Sequence, residues 1–318
     1  MATSIAGQLR GRGAKRERWR DYSPMRKREA LIGLAFISPW IIGMLVFSLG
    51  PFLVSFALSF TRYTIIQSPD WIGLDNYRRI FNEDDLFQKS LWNTATYVGG
   101  SVSIRIVLGF VLAMLLNAKV RFLGVWRTLF YVPSVVPIVA TSMIWLFVLN
   151  GRAGLMNWFL SFLGIERIRW LSDPAYAMKG LLLMSTTWVG VTMIIFLAGL
   201  QNIPEEYYEA AKIDGAGALR RLLRITLPLM TPTIYLNTLI NIINAFQVFT
   251  QVLIMTDPPG APRDSTRTIV LHIYDYAFSY LPPQMGYSSA LAWILFMIIF
   301  FFTAIIVVTS NRWVFYNQ

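Results

Sequence analysis

PEEYYEAAKIDGAGALRRLLRITLP, residues 204–228, is a polar interruption between two segments apolar enough to cross a membrane. Pro204 suits the first turn of a helix, where its missing N–H costs nothing. Glu205 and Glu206 then stand where the helix dipole favours negative charge. Tyr208, Ala211 and Lys212 share a face at helical spacing, and the small Ala210 and Ala211 let another surface come close. Gly215 and Gly217 read as terminators, because glycine tolerates the left-handed conformation that ends helices. A second amphipathic run sets Leu219, Leu222 and Leu223 against Arg220, Arg221 and Arg224. Pro228 opens the next apolar segment. The stretch predicts two short helices joined by a glycine turn between two membrane spans. It is either a plain connecting loop or a docking knob for a soluble partner.

The rest of the chain decides that membranes are the right setting. Of 318 residues, 55% are hydrophobic and 14% charged, against about 45–50% and about 25% in soluble globules. Cysteine is absent, so disulfide and thiolate chemistry are excluded, and the single histidine, His272, makes no metal site by itself. The net charge of +11 fits cytoplasmic loops and headgroup contact. A nucleic-acid arm is the other reading, but no folded reader module accompanies the basic residues.

Residues 1–29 carry nine Lys or Arg and few apolar residues, and read as a basic cytoplasmic tail. Leu31 to Phe60 is far longer than the apolar region of a signal peptide, about 7–15 residues, and reads as a first span bent near Pro39 or Pro51. A span needs about 20 apolar residues. Further candidates are 92–117, 125–149, 177–200, 229–255 and 288–310, so the expected fold is all-α and polytopic with six transmembrane helices. Trp158, Phe159, Leu160 and Leu163 form a short amphipathic run for the membrane surface. With the N-terminus inside, the cytoplasmic side holds seventeen Lys/Arg and the other side ten. That bias puts both termini and the 201–228 loop in the cytoplasm, and makes residues 30–318 one transmembrane domain.

Glu209-Ala210-Ala211, three residues, Gly215, nine residues, Ile225, one residue and Leu227-Pro228 resembles the EAA motif of ABC-importer permeases. The version EAAKIDGAG, with Asp214-Gly215-Ala216, is similar to the carbohydrate-uptake branch, the maltose and glycerol-phosphate type. YVPSVVPIVATSMIW at 131–145, WLSDP at 170–174, LAGLQNIPEEYYEAAKIDGA at 197–216, FQVFTQVLIMT at 246–256 and GYSSALAWILF at 286–296 extend the resemblance over nearly everything after the tail. Two departures stand out: Asp257-Pro258-Pro259-Gly260 replaces the Gly-Gly-Pro turn common in the family, and Arg105 stands where an uncharged polar residue is expected.

The resemblance implies the type I ABC-importer permease fold with a cytoplasmic coupling helix, in a bacterial inner membrane. It also implies partners: a second homologous permease, an ATPase dimer, an extracytoplasmic solute-binding protein, membrane lipid and a sugar substrate. ATPase coupling falls to Glu209, Ala210, Ala211, Asp214, Gly215 and Pro228. Glu209 would be the charged contact; its plainer reading is a solvated helix-face acid.

The chain carries no phosphate-binding Gly-x-x-x-x-Gly-Lys-Ser/Thr loop, no His-Glu-x-x-His and no nucleophile elbow. Hence no catalytic residue, metal site or cofactor is expected here, and ATP and Mg belong on partner subunits. Polar groups within spans are the candidates for a substrate path. Asn237, Asn241 and Asn244 recur at helical spacing, with Gln247 and Gln251 continuing near that stripe. Such amides either tie helices together or face a cavity and exchange hydrogen bonds with sugar hydroxyls. Trp188 can stack on a sugar ring or simply pack, with Thr187 beside it. Ser134 lies between Pro133 and Pro137, where the third span is expected to kink. The rival readings are the same machine for glycerol-phosphate or another polyol, and an ion-driven secondary transporter. The second would show intramembrane acids or paired broken repeats, and neither is present in the sequence.

Overall fold

The computed structural model describes residues 23–118 and 121–315. Most of the basic tail, residues 1–22, and Lys119 of the second connection lie outside the described residues. By contact density the chain divides after Ala57. The first unit is helical from Ser23, whose hydroxyl caps the Arg26 N–H at 3.3 Å. The helix α1, Pro24–Leu58, therefore starts inside the stretch assigned to the tail and takes in Arg26, Lys27 and Arg28. Pro51 has no N–H and its ring crowds the carbonyl four residues back. The chain answers with a π-turn over Leu45–Leu49.

The second unit opens with an antiparallel pair, β1 Thr61–Arg62 and β2 Asp70–Trp71, and a short helix α2, Asp75–Asn82. Asn76 fastens α2 to the strand by donating to Ser59 O and Thr61 O, both at 2.9 Å. Asp84 caps the long helix α3, Asp85–Asn117. The third expected span is two helices, α4 Leu123–Val135 and α5 Ile138–Val148, bent by 101°. The sequence reading expected a kink there; the break is sharper because Val136, preceding Pro137, is pushed out of helical dihedrals to ψ 132°. Helix α6, Leu155–Ser161, exposes Trp158 and Phe159, and Leu163 is exposed in the turn that follows.

Helix α7, Pro174–Gln201, contains a 3-10 turn at Ser185–Trp188. It packs on α3, where Gly109 meets Thr192 so closely that an added Cβ would come within 2.8 Å of its methyl. Ala113, Leu116, Met193, Phe196, Leu197 and Met230 fill that seam. After the 201–228 loop come α11 Thr231–Phe246 and α12 Thr250–Met255; helices α8 to α10 belong to the loop and are described with the site. A short α13, Ile269–Tyr274, precedes the last long helix, α14 Met285–Trp313.

Among the described residues four helices are long and apolar enough to cross a membrane, and five segments if the bent pair counts as one. The fifth expected span, 229–255, is interrupted at 247–249, leaving a 16-residue helix before the break.

Candidate functional site

Helix α8, Glu205–Ile213, builds the first candidate site. Pro204 is its N-cap, with ψ 134°, one position earlier than the first-turn placement read from the sequence. The helix ends on a complete glycine cap. Gly215 takes φ +73°, its N–H donates to Lys212 O at 3.0 Å, and the Ala216 N–H donates to Ala211 O at 2.8 Å. Glu209, Ala210, Asp214 and Gly215 are exposed and Ala211 is half-buried. Ile213 is 87% exposed, an apolar side chain offered to whatever meets this helix.

The second run is not a separate helix. Ala218–Arg221 (α9), a π-turn over Leu222–Thr226 and Leu227–Leu229 (α10) follow one another directly and lead into α11. The cause is again a proline. Pro228 cannot donate and re-registers the turn before it, as Pro51 does in α1. Pro228 is half-buried and belongs to this later segment, not to α8. A side-chain hydrogen bond joins the two halves of the loop, Tyr208 Oη with the buried Thr226 Oγ1 at 3.0 Å.

The second candidate site is a cavity of about 450 Å³ within the helices. Arg105, Trp188, Thr192, Asn237, Asn241, Asn244, Gln247 and Gln251 line it, with Tyr97. The amide stripe thus converges as its spacing predicts, but its members differ. Asn241 Nδ2 donates to Thr192 Oγ1 at 3.2 Å and to Asn237 O at 2.9 Å, so it also ties α11 to α7. Asn237 is buried with neither amide atom partnered. Asn244 and Gln247 are exposed, and Gln247 donates to Ile243 O at 3.1 Å. The unwound 247–249 segment forms part of the wall, and Thr268 Oγ1 donates to the freed Val248 carbonyl at 3.0 Å. Irregular backbone at membrane depth is tolerated where it lines such a cavity.

Ser134 and Thr187 stand elsewhere. Ser134 Oγ donates to Thr187 O at 3.0 Å and Trp145 Nε1 donates to Thr187 Oγ1 at 2.9 Å. These bonds fasten α4 and α5 to the 3-10 turn beside a separate, mainly apolar cavity. Tyr97 and Thr192 escaped the sequence reading. Tyr97, Ser101 and Arg105 repeat every four residues on α3, and Thr192 follows Trp188 by four; that periodicity was the available signal.

Residues 105–314 match the family described as the binding-protein-dependent transport system inner membrane component. The chain belongs to this family. It is accordingly a multi-pass membrane protein of a transporter permease family. A probable ABC transporter permease protein of Bacillus subtilis (strain 168) is 41% identical over 92% of this chain and 94% of its own length. The trehalose/maltose transport system permease protein of Thermococcus litoralis is 33% identical over 89% and 95%. The lactose transport system permease protein of Rhizobium radiobacter is 34% identical over 87% and 93%. In fold, the chain resembles a subunit in the crystal structure of a bacterial ABC transporter involved in the import of the acidic polysaccharide alginate. The TM-score is 0.77 at 24% identity, covering 90% of this chain and 96% of that one.

Proposed function

We propose that this chain is one permease subunit of an ATP-driven, binding-protein-dependent importer of saccharides, seated in a bacterial inner membrane with both termini in the cytoplasm. Three saccharide-system relatives support the substrate class: the trehalose/maltose and lactose permeases, and an arabinooligosaccharides permease of Bacillus subtilis at 32% identity. A neighbour in fold was solved in complex with an alginate pentasaccharide-bound periplasmic protein. By analogy an extracytoplasmic binding protein delivers the solute, a second permease completes the path and a separate ATPase dimer drives it.

The observation that carries the reading is the continuity between the two sites. Helix α8 and its cap expose Glu209, Ala210, Asp214 and Gly215, with Ala211 half-buried beside them. Tyr208 links it to Thr226, and from Ala218 onward successive helical segments lead to Asn237, Asn241 and Asn244. A displacement of α8 by a closing ATPase dimer therefore reaches the cavity through one helix. Asn241, Asn244 and Gln247 offer donors and acceptors that match sugar hydroxyls, and Trp188 supplies an aromatic face. Ser134 and Thr187 hold the 3-10 turn from which Trp188 projects.

The test is ATP hydrolysis by the purified assembly. Adding binding protein loaded with saccharide should stimulate it, and Tyr208→Phe should weaken that stimulation. An assembly whose hydrolysis ignores every loaded binding protein would contradict the proposal.

A further inference from the structure

We infer that the saccharide carried by this chain bears a carboxylate, and that Arg105 receives it; the inference rests on the saccharide reading above. Arg105 lies within α3 and is 7% exposed. It lines the amide cavity, and every other side chain lining that cavity is neutral. None of the ion pairs among the described residues includes it. Its Nε donates to Ser185 O at 3.2 Å, and its guanidinium carbon stands 5.4 Å from the centre of the Trp188 ring. Neither contact supplies a counter-charge. A neutral donor would satisfy the carbonyl equally well, without the cost of holding an uncompensated cation at membrane depth.

A second observation points into the same cavity. Asn237 is 1% exposed and both of its amide atoms lack a partner. A buried amide left so costs stability unless a bound group completes it. A cation and an unpaired amide lining one cavity suit a ligand with one anionic group among hydroxyls. Carboxylate fits better than phosphate. A guanidinium pairs with it bidentately, charge for charge, whereas a phosphate dianion would leave negative charge in a cavity with this one cation. The ligand class is therefore a uronate-containing saccharide.

The experiment begins with the cognate binding protein, offered mixed enzymatic digests of acidic and neutral polysaccharides, with bound saccharides identified by mass spectrometry. The bound pool should carry a carboxylate. Capture of neutral saccharides alone would overturn this inference and leave the saccharide reading intact; capture of no saccharide would overturn both. The captured saccharide and its methyl ester are then presented on the binding protein to proteoliposomes, with uptake normalised to assembled complex. Arg105→Gln should cut uptake of the acid roughly 10- to 100-fold and shift the acid-to-ester ratio. Arg105→Lys should restore part of the loss. A merely structural arginine would lower acid and ester alike, and that result would overturn the assignment. Asn244→Asp, at an exposed position on the cavity, guards against poor assembly of the arginine variants. It should depress acid uptake selectively, and an acid-to-ester ratio unchanged from wild type in that variant would likewise overturn the inference.

Discussion

Asp84 collects three hydrogen bonds where three helices meet. Its Oδ1 accepts from the Phe87 N–H at 3.0 Å; its Oδ2 faces His272 Nε2 at 2.9 Å and accepts from Tyr287 Oη at 2.6 Å. Burial pushes this carboxyl up, but the bonds from Tyr287, His272 and Phe87 outweigh it and hold Asp84 below the usual carboxylate range. Burial lowers His272 below 6.5, and the attraction of Asp84 only partly opposes that. His272 is therefore neutral near pH 7, with its proton on Nε2, and its buried Nδ1 has no partner. Arg79, Arg267, Asp275 and Tyr276 also face this cluster. Both Asp84 and His272 bind protons less readily folded than unfolded, so their stabilisation is complete above the unfolded pKa and falls on acidification. The window opens below about pH 6.5, where a free histidine protonates, and reaches into the carboxylate range. The melting temperature of the purified protein should fall from pH 7.5 to pH 5, and His272→Gln should flatten that slope. An unchanged slope would exonerate the histidine. Asp84→Asn should cost about 1–3 kcal/mol at neutral pH, since it removes the charged acceptor from two buried donors. None of this cluster was legible in the sequence: Asp84 and His272 lie far apart in the chain, and neither belongs to a periodic pattern.

At the scale of elements, α8 was the most legible part of the chain. Acids in the first turn, small residues in the middle and glycine at the end mark α8 by local signals alone. The following run was misread because Leu219, Leu222 and Leu223 have the periodicity of a free amphipathic helix. What the pattern hides is that Pro228 is absorbed by a π-turn, so the run becomes the root of α11. The amide stripe was legible by spacing, but the division between tying and facing a cavity was not. Asn241 does both, because Thr192 happens to stand opposite. These features set the coupling test. Gly215→Asp places a side chain at φ +73°, where L-residues other than Asn and Asp rarely sit, so Asp tolerates the turn while adding charge to the docking face. Together with Glu209→Ala it should leave the protein in the membrane but reduce co-purification of the ATPase, or separate hydrolysis from uptake. Normal co-purification and full uptake in both variants would remove α8 from the coupling route.

For the whole molecule, composition and span length were enough to place the chain in a membrane, while the count of spans was not. Segments 125–149 and 229–255 are each apolar enough on average to read as one span, yet one folds at Pro137 and the other unwinds at 247–249. Hydropathy averages over such breaks and registers neither. The topology proposed from basic residues is open to labelling in a chain without cysteine. Gln67→Cys, in the exposed loop after β1, should react with an impermeant thiol reagent added to intact cells, and Ala218→Cys should react only after permeabilisation. The reverse pattern would invert the protein. In the proposed machine, ATP spent on a partner moves a saccharide handed over by a binding protein. The most direct measurement is saccharide uptake into proteoliposomes holding this chain, its partner permease and the ATPase. ATP is enclosed, binding protein is added outside and a protonophore is present. Uptake should require both ATP and binding protein and should be indifferent to the protonophore; uptake that proceeds without ATP, or collapses when the protonophore is added, would contradict the account.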